Sequence, residues 1–290
     1  MPEILSREFT VRNYECDAYG HLYNTNYLRY IQELNFDLLH AVDGAKKRSP
    51  DSLRGWQPHQ VFIDFQQPLQ YGDRARVSAR LVNMLHDQAI WTYEISSPPE
   101  TIHAQAKINY RMFTRDRKFD AEIPFEVLQR LNPYLIQADD YSAIDFPTPT
   151  VPPSGALGQL WDVNWRDIGG DGYLHLAAYF DYLLDFLMAA LASRGWSYER
   201  EEEAGFAWYV RRHWLEILAP VQLTDKLRLA SWLSDVKRST VLRNFTIHSA
   251  DTGDLLGRAY TLWVGIDPAS GRPLRISERI TQNLADQIVD

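Results

Sequence analysis

The fold of this chain is decided by the stretch Cys16-Asp17-Ala18-Tyr19-Gly20-His21-Leu22-Tyr23-Asn24-Thr25-Asn26-Tyr27, because a second version of it follows 152 positions later. The second version reads Ile168-Gly169-Gly170-Asp171-Gly172-Tyr173-Leu174-His175-Leu176-Ala177-Ala178-Tyr179. A glycine, a leucine and the final tyrosine recur, whereas the position of Asp17 is taken by Gly169, which has no side chain. Two similar units are therefore predicted, of which only the first retains this carboxylate.

The repeat extends well beyond these two stretches. Pairs of identical residues at the same offset run from Val11 and Val163 to Leu81 and Leu233. One constant offset over about seventy residues indicates a duplicated domain rather than a short solenoid repeat. We predict a first domain at 1–136, a proline-rich linker at 137–158 and a second domain at 159–290.

Each unit follows the same plan of a short strand, a turn, a long helix and several more strands. Apolar residues at three- and four-residue spacing predict helices after Tyr27 and after Leu176, the second of them buried on most sides. β-branched and aromatic runs predict strands at 8–15, 60–65, 74–85, 89–96 and 101–114, and at 159–166, 207–218, 226–234, 240–249 and 255–266. The predicted fold class is α+β, with each unit forming a curved antiparallel sheet around one long central helix.

Composition narrows the partners and the compartment. The 290 residues are 45% hydrophobic and carry a formal charge of -8, which argues against nucleic acid as the main partner. Cys16 is the single cysteine, so no internal disulfide can form and a reducing, cytoplasmic compartment is expected. We find no apolar segment near the N-terminus and no apolar run approaching the roughly 18 residues of a membrane span, so no membrane insertion is expected.

The motifs of other chemistries are missing from the sequence. The eight histidines have no zinc-ligand spacing, and neither a Gly-x-Ser-x-Gly nucleophile turn nor a phosphate-binding glycine loop is present. We therefore expect no metal and no dissociable cofactor.

The first copy of the repeated stretch resembles the hotdog-fold thioesterases, in the branch of 4-hydroxybenzoyl-CoA thioesterase. The positions that carry the resemblance are Cys16, Asp17, Gly20, Tyr23, Asn26 and Tyr27. Two such units in one chain are similar to acyl-ACP thioesterases. The resemblance implies an acyl group on CoA or acyl carrier protein as substrate, and a pseudo-dimer with aligned sheets and helices on the outside. Whether two tandem chains pair further stays open.

The resemblance also implies two catalytic roles. Asp17 takes the position of the family's catalytic carboxylate, and the backbone N–H near Asn24 takes that of the group holding the thioester oxygen. An aspartate can act as general base or as nucleophile, and the first N–H groups of a helix carry partial positive charge. Gly20 would allow a tight turn and the close approach of a ligand.

Other residues admit a structural interpretation beside the functional one. Tyr23, Asn26 and Tyr27 either contact the substrate or hold the turn and the helix, and the recurrence of Tyr27 as Tyr179 favours packing. Arg115 and Arg117 either bind a phosphate of CoA or phosphopantetheine or lie on a solvated surface. We expect His21, whose counterpart is a tyrosine, to be an exposed turn residue.

Two rival functions fit the same fold. A hotdog hydratase or dehydratase would need a histidine near an acid, for which His21 and His175 are the candidates. A non-catalytic acyl-binding protein would have lost function in both copies. Thiol release from acyl-CoAs separates these alternatives from a thioesterase.

Overall fold

The structure, a computed structural model, describes residues 5–43, 55–113, 116–136, 143–195, 205–267, 270–276, 282 and 284–289. The first unit contains strands β1 (Leu5–Thr10), β2 (Gly55–Phe65), β3 (Arg74–Met84), β4 (Gln88–Ser97) and β5 (Thr101–Phe113), with helices α1 (Asn24–Asp43) and α2 (Phe125–Leu131). The second contains β6 (Leu157–Asp162), β7 (Ala207–Ile217), β8 (Lys226–Ser234), β9 (Thr240–Ser249), β10 (Leu255–Asp267) and β11 (Arg272–Pro273), with helix α3 (Leu176–Ser193).

The two units share one continuous antiparallel sheet. Its strand order is β1-β3-β4-β5-β2-β7-β10-β9-β8-β6, with β11 on the end of β10. β2 and β7 form the joint, where Gln60 lies opposite Glu216 and Asp64 opposite Arg212. Asp64 also pairs with Arg211, and both ion pairs measure 3.0 Å. The joint therefore combines a hydrogen-bonded strand pair with charge pairs across the two units.

The first strand of each unit ends earlier than predicted. β1 stops at Thr10 and β6 at Asp162, and each is followed by a 3-10 turn, Asn13–Glu15 in the first unit. The carboxylate of Glu15 accepts the backbone N–H of Arg12 at 2.8 Å and the hydroxyl of Tyr30 at 2.7 Å. These side-chain bonds supply a local partner for the backbone, so the chain turns instead of extending the strand.

The long helices lie side by side. Arg29 on α1 pairs with Asp181 on α3, and Gln32 on α1 bonds His175 at the start of α3 at 2.8 Å. The expectation that the helices pack on the outside is therefore wrong. The reason is that α3 is apolar nearly all round, so it needs cover from α1 as well as from the sheet.

Helix α3 also corrects the expectation about apolar runs. Its length and apolar composition are those of a membrane-crossing helix, with a mean hydropathy of 1.4 over 18 residues. Ten of its residues are buried: Leu176, Ala177, Ala178, Tyr179, Phe180, Tyr182, Leu183, Leu184, Phe186 and Leu187. Burial on this scale is that of the central helix of a soluble core, and we assign α3 to that role.

Candidate active site

Asp17 sits in a tight turn between β1 and α1. Its Oδ1 accepts the backbone N–H groups of Tyr19 at 2.9 Å and of His21 at 3.1 Å. Gly20 has φ of +77°, in the left-handed region that side chains disfavour, and the equivalent Gly172 has φ of +86°. The predicted tight turn is thus present in both units, and in the first it orients a half-buried carboxylate through one oxygen.

The start of α1 lies beside this turn. The helix begins at Asn24, and the backbone N–H of Asn26 bonds the carbonyl of Tyr23 at 2.9 Å. The first N–H groups of a helix have no acceptor within it, and the helix dipole adds partial positive charge there. This end of α1 can therefore donate to a carbonyl oxygen that enters next to Asp17.

Asp17 opens onto a cavity of about 640 Å³. From the first unit, Asp17, Tyr23 and Asn24 contribute to its wall. The second unit supplies an apolar wall from α3, β7, β9 and β10: Leu184, Leu187, Leu191, Trp208, Val210, Val241, Trp263 and Val264. The carboxylate and the apolar space beside it thus come from different units. A long apolar chain could extend from the turn into the second unit.

The corresponding place in the second unit is closed. It holds a cavity of only about 40 Å³. Gln32 stands there at the position of Leu184, and Gln57 at the position of Tyr209. Gln57 bonds Asp171 at 2.7 Å and Gln32 bonds His175 at 2.8 Å, so polar side chains fill the space.

Gly169, at the position of Asp17, is itself crowded. A Cβ there would lie 2.8 Å from Oδ1 of Asp171 and 3.1 Å from the ring of His175. The second turn has therefore lost both the carboxylate at the position of Asp17 and the room for one there. The asymmetry that the sequence indicates is also an asymmetry of shape.

His213 on β7 connects the two units beneath the start of α1. Its ring is fully buried, stacked on Phe180, with Nε2 3.3 Å from Oδ1 of Asn24 and Nδ1 2.8 Å from Oγ1 of Thr261. Burial lowers the pKa of His213 to about 3, so the ring is neutral at physiological pH. The amide oxygen of Asn24 accepts, so the proton lies on Nε2.

Sequence reasoning missed His213, because it contacts a residue 189 positions away. The available signal was a histidine inside a predicted strand, directly before the apolar pair Trp214 and Leu215.

Two of the predicted binding residues have structural partners. The hydroxyl of Tyr27 accepts the backbone N–H of Leu69 at 3.0 Å, and Tyr179 does the same for Val221 in the second unit. Asn26 donates from Nδ2 to the carbonyl of Glu15 at 2.8 Å. Tyr27 also contributes to the cavity wall, whereas the contacts of Asn26 hold the turn against the helix.

Arg117 and His21 lie in surroundings that differ from those expected. Arg117 pairs with Asp225 and donates to the carbonyl of Pro220 at 3.2 Å, so its guanidinium fastens the first unit to the second. Arg115 lies outside the described residues. His21 is half-buried rather than exposed, contributes to the cavity wall, and packs edge-on against Tyr209 with ring centres 5.7 Å apart.

No metal site is evident in the part of the chain that the structure describes. Within it, no three histidine, cysteine, aspartate or glutamate side chains come together as a possible set of ligands.

Two family models match the chain, one on each unit. The acyl-ACP thioesterase N-terminal domain matches residues 157–284, and the thioesterase-like superfamily matches residues 11–131. No curated protein sequence matches significantly.

Solved structures match the whole tandem arrangement. A Lactobacillus plantarum protein assigned as an oleoyl thioesterase is 15% identical and superposes with a TM-score of 0.75, covering 91% of this chain and 96% of its own. The 12:0-ACP thioesterase of Umbellularia californica is 13% identical, with a TM-score of 0.71 and coverages of 91% and 94%. An acyl-ACP thioesterase of Bacteroides thetaiotaomicron is 14% identical, with a TM-score of 0.64 and coverages of 90% and 97%.

At these identities the structural likeness concerns the fold, and the two family models supply the functional link. Both models name thioesterases, and together they span nearly all of both units. Each unit is thus matched by a thioesterase family model, and the whole chain has the fold of tandem acyl-ACP thioesterases, which supports the hydrolysis of an acyl thioester.

Proposed function

We propose that the chain has one active site, in which Asp17 of the first unit acts on an acyl thioester whose chain lies in the second unit. The observation that carries this proposal is the pairing of a carboxylate turn with a cavity of about 640 Å³, while the equivalent cleft has about 40 Å³ and a glycine, Gly169, at the position of Asp17. We also propose that the first domain spans residues 1–136, the linker 137–158 and the second domain 159–290.

One carboxylate oxygen of Asp17 accepts the hydrogen bonds of the turn, and the other is proposed to react. In the described part of the chain its hydrogen bonds are accepted by Oδ1, which fixes the direction of the carboxylate. Oδ2 either takes a proton from the attacking water or attacks the thioester carbon to give a mixed anhydride, which water then cleaves. Both routes give a carboxylic acid and a free thiol.

The start of α1 would stabilise the oxyanion that forms on the thioester carbonyl. Donors of this kind typically contribute roughly 3–4 kcal/mol to the transition state. The thiolate is a good leaving group without further stabilisation, because an ordinary thiol has a pKa of about 8.5.

Cys16 is an unsuitable nucleophile. Burial raises the pKa of its thiol, and Sγ contacts the carbonyl of Arg12 at 3.6 Å. A thiol with a raised pKa carries little thiolate at neutral pH. The neighbouring carboxylate is therefore the better candidate for the attacking or proton-accepting group.

The proposal is tested with Asp17→Asn and the matched variant Asp171→Asn. The asparagine keeps an oxygen for the backbone N–H groups of the turn but has no charged oxygen to attack or to accept a proton. We expect Asp17→Asn to lower kcat/KM for acyl-CoA hydrolysis by roughly 10²–10⁴-fold. Asp171→Asn changes the equivalent turn of the closed site, and its kcat/KM should stay within about threefold of wild type.

Undiminished turnover by Asp17→Asn, with the far-UV spectrum and melting temperature preserved, would sink the assignment. Comparable losses in both variants would show that the effect is structural. Rapid-quench measurement then separates the two routes, because a burst of thiol ahead of free acid indicates the anhydride.

The carrier of the acyl group is proposed as CoA or acyl carrier protein. The Umbellularia californica protein is a 12:0-ACP thioesterase, which favours a carrier protein, whereas the first unit matches the broader thioesterase-like superfamily. Comparing the rates of thiol release from the same acyl group attached to CoA and to acyl carrier protein decides between the two carriers. A cytoplasmic location is proposed with them, since the single free thiol of Cys16 suits a reducing compartment.

A further inference from the structure

A buried arginine lies in the wall of the cavity. Arg243 on β9 is 4% exposed, and it lies between Leu233 of β8 and Thr261 of β10 in the sheet. Its Nη1 donates to Oγ of Ser231 at 3.2 Å and to Oε1 of Gln287 at 3.5 Å. Within the described residues no carboxylate lies in ion-pair distance of this guanidinium.

Among the described residues, the hydrogen-bond partners of Arg243 are thus neutral. Burial lowers the pKa of the guanidinium to about 9, which still leaves it protonated at neutral pH. A buried cation without a counter-ion is costly, and an anion that binds beside it offsets this cost. The cavity therefore carries a fixed positive charge in a mostly apolar wall.

Two more donors near this charge have no acceptor. Among the described residues, Nε1 of Trp263 and Nε2 of Gln287 are buried and have no hydrogen-bond partner. Trp263 is part of the wall of the same cavity, and Gln287 bonds Arg243 directly. Buried donors without partners are rare in native proteins. A group in the cavity that only accepts hydrogen bonds would satisfy Arg243 and Trp263, and a carboxylate is such a group.

The first unit has a tryptophan at the equivalent place. Trp91 lies opposite Leu81 as Arg243 lies opposite Leu233, and both pairs keep the offset of 152. In the first unit the indole of Trp91 is 4% exposed and fills the core. The second unit has an open cavity and a guanidinium at this position instead. The polar residue is therefore found only in the unit that is proposed to hold the acyl chain.

The separation from the catalytic turn suits the far end of an acyl chain. Arg243 on β9 and His213 on β7 lie on either side of Thr261 of β10. Their backbones are therefore two strand spacings, or about 10 Å, apart. His213 in turn contacts Asn24 at the start of α1. A group bound at Arg243 would lie at the distal end of a chain whose thioester is held at Asp17.

We propose that Arg243 and Trp263 form a subsite for a terminal carboxylate, so that the preferred substrates are mono-thioesters of dicarboxylic acids. This inference rests on the proposed function, since it assigns the acyl group acted on at Asp17.

The test compares adipoyl-, suberoyl- and sebacoyl-CoA with hexanoyl-, octanoyl- and decanoyl-CoA. For at least one chain length we expect kcat/KM to be roughly tenfold to a hundredfold higher for the ω-carboxy substrate, as for a charge-assisted hydrogen bond. Arg243→Met should abolish this preference, and Trp263→Phe should reduce it severalfold.

Trp232→Phe is the matched control. Trp232 is a buried tryptophan of β8 whose neighbour Leu233 is in the cavity wall, so its own side chain points to the opposite face of the sheet. This variant loses a hydrogen bond to Thr150 but should keep the wild-type preference. Should Arg243→Met fail to fold, Trp263→Phe against Trp232→Phe still tests the subsite.

A binding measurement separates the two proposals. Suberate, but not octanoate, should raise the melting temperature of the wild type, and Arg243→Met or, failing that, Trp263→Phe should weaken the effect. Hydrolysis of octanoyl-CoA without any preference for ω-carboxy substrates would overturn the subsite and leave the proposed function intact. Stabilisation by suberate without hydrolysis of any thioester would support the subsite and overturn the proposed function.

Discussion

The buried histidine predicts how the stability of this protein depends on pH. His213 is fully buried, and its ring contacts Thr261, Asn24, Phe180 and Phe65, none of which can carry a charge. Its pKa is lowered to about 3 from the ordinary 6.5 because burial disfavours the charged ring. Below about pH 6.5 the His213 ring therefore binds a proton in the unfolded chain but stays neutral in the folded chain.

The sign and the size of the effect follow from this difference. The stability that His213 contributes is fully present above pH 6.5 and is lost as the pH falls toward about 3. The loss is about 1.4 kcal/mol per pH unit in that window. At about pH 5 the free energy of unfolding should be lower by about 2 kcal/mol on this account.

The assay is urea unfolding of the wild type and of His213→Gln between about pH 7 and pH 5. Glutamine can bond the same neighbours and does not titrate, so the variant should lose the His213 part of the slope. His248, a surface histidine that bonds the carbonyl of Gly253 at 3.1 Å, provides the control variant His248→Gln. Its profile should follow the wild type.

Parallel stability profiles for the wild type and His213→Gln would refute the reasoning. Such a result would mean that the ring is charged in the folded protein or that it is accessible to water.

Three further predictions concern stability. Gly20→Ala should cost about 1–2 kcal/mol of unfolding free energy, because φ is +77° there, whereas Gly170→Ala, with open space and no positive φ, should cost little. Tyr27→Phe and Tyr179→Phe should each cost about 1–3 kcal/mol, because each leaves one buried backbone N–H without an acceptor. Gly265→Ala should cost about 1–3 kcal/mol, because the new methyl group would lie 2.6 Å from a phenylalanine ring. Chemical denaturation measures all of them. Equal stabilities of Gly20→Ala and Gly170→Ala, or Gly265→Ala and tyrosine-to-phenylalanine changes without cost, would contradict the assigned roles.

Most strands could be predicted from the sequence. β8 and β9 begin and end at the predicted residues, and β10 differs by one residue at its end, because each is a run rich in apolar and aromatic residues. The first strand of each unit was less predictable. In the first unit the carboxylate of Glu15 gives the backbone N–H of Arg12 a competing partner, and composition alone does not reveal that contact.

By itself the sequence determined the duplication, the two long helices and the loss of the carboxylate at Gly169. Each can be recognised from the spacing of apolar residues or from the identity of residues at a constant offset. The tertiary structure decided where the cavity lies and what it is lined with. β2 pairs with β7, which places His213 against Asn24 and puts the start of α1 beside the apolar wall of the second unit. The role of Arg243 became visible in the same way, since a lone arginine in a strand reads as a surface residue until its neighbours in β8, β10 and the last turn enclose it. Burial is a property of contacts distant in sequence, and no local pattern records it.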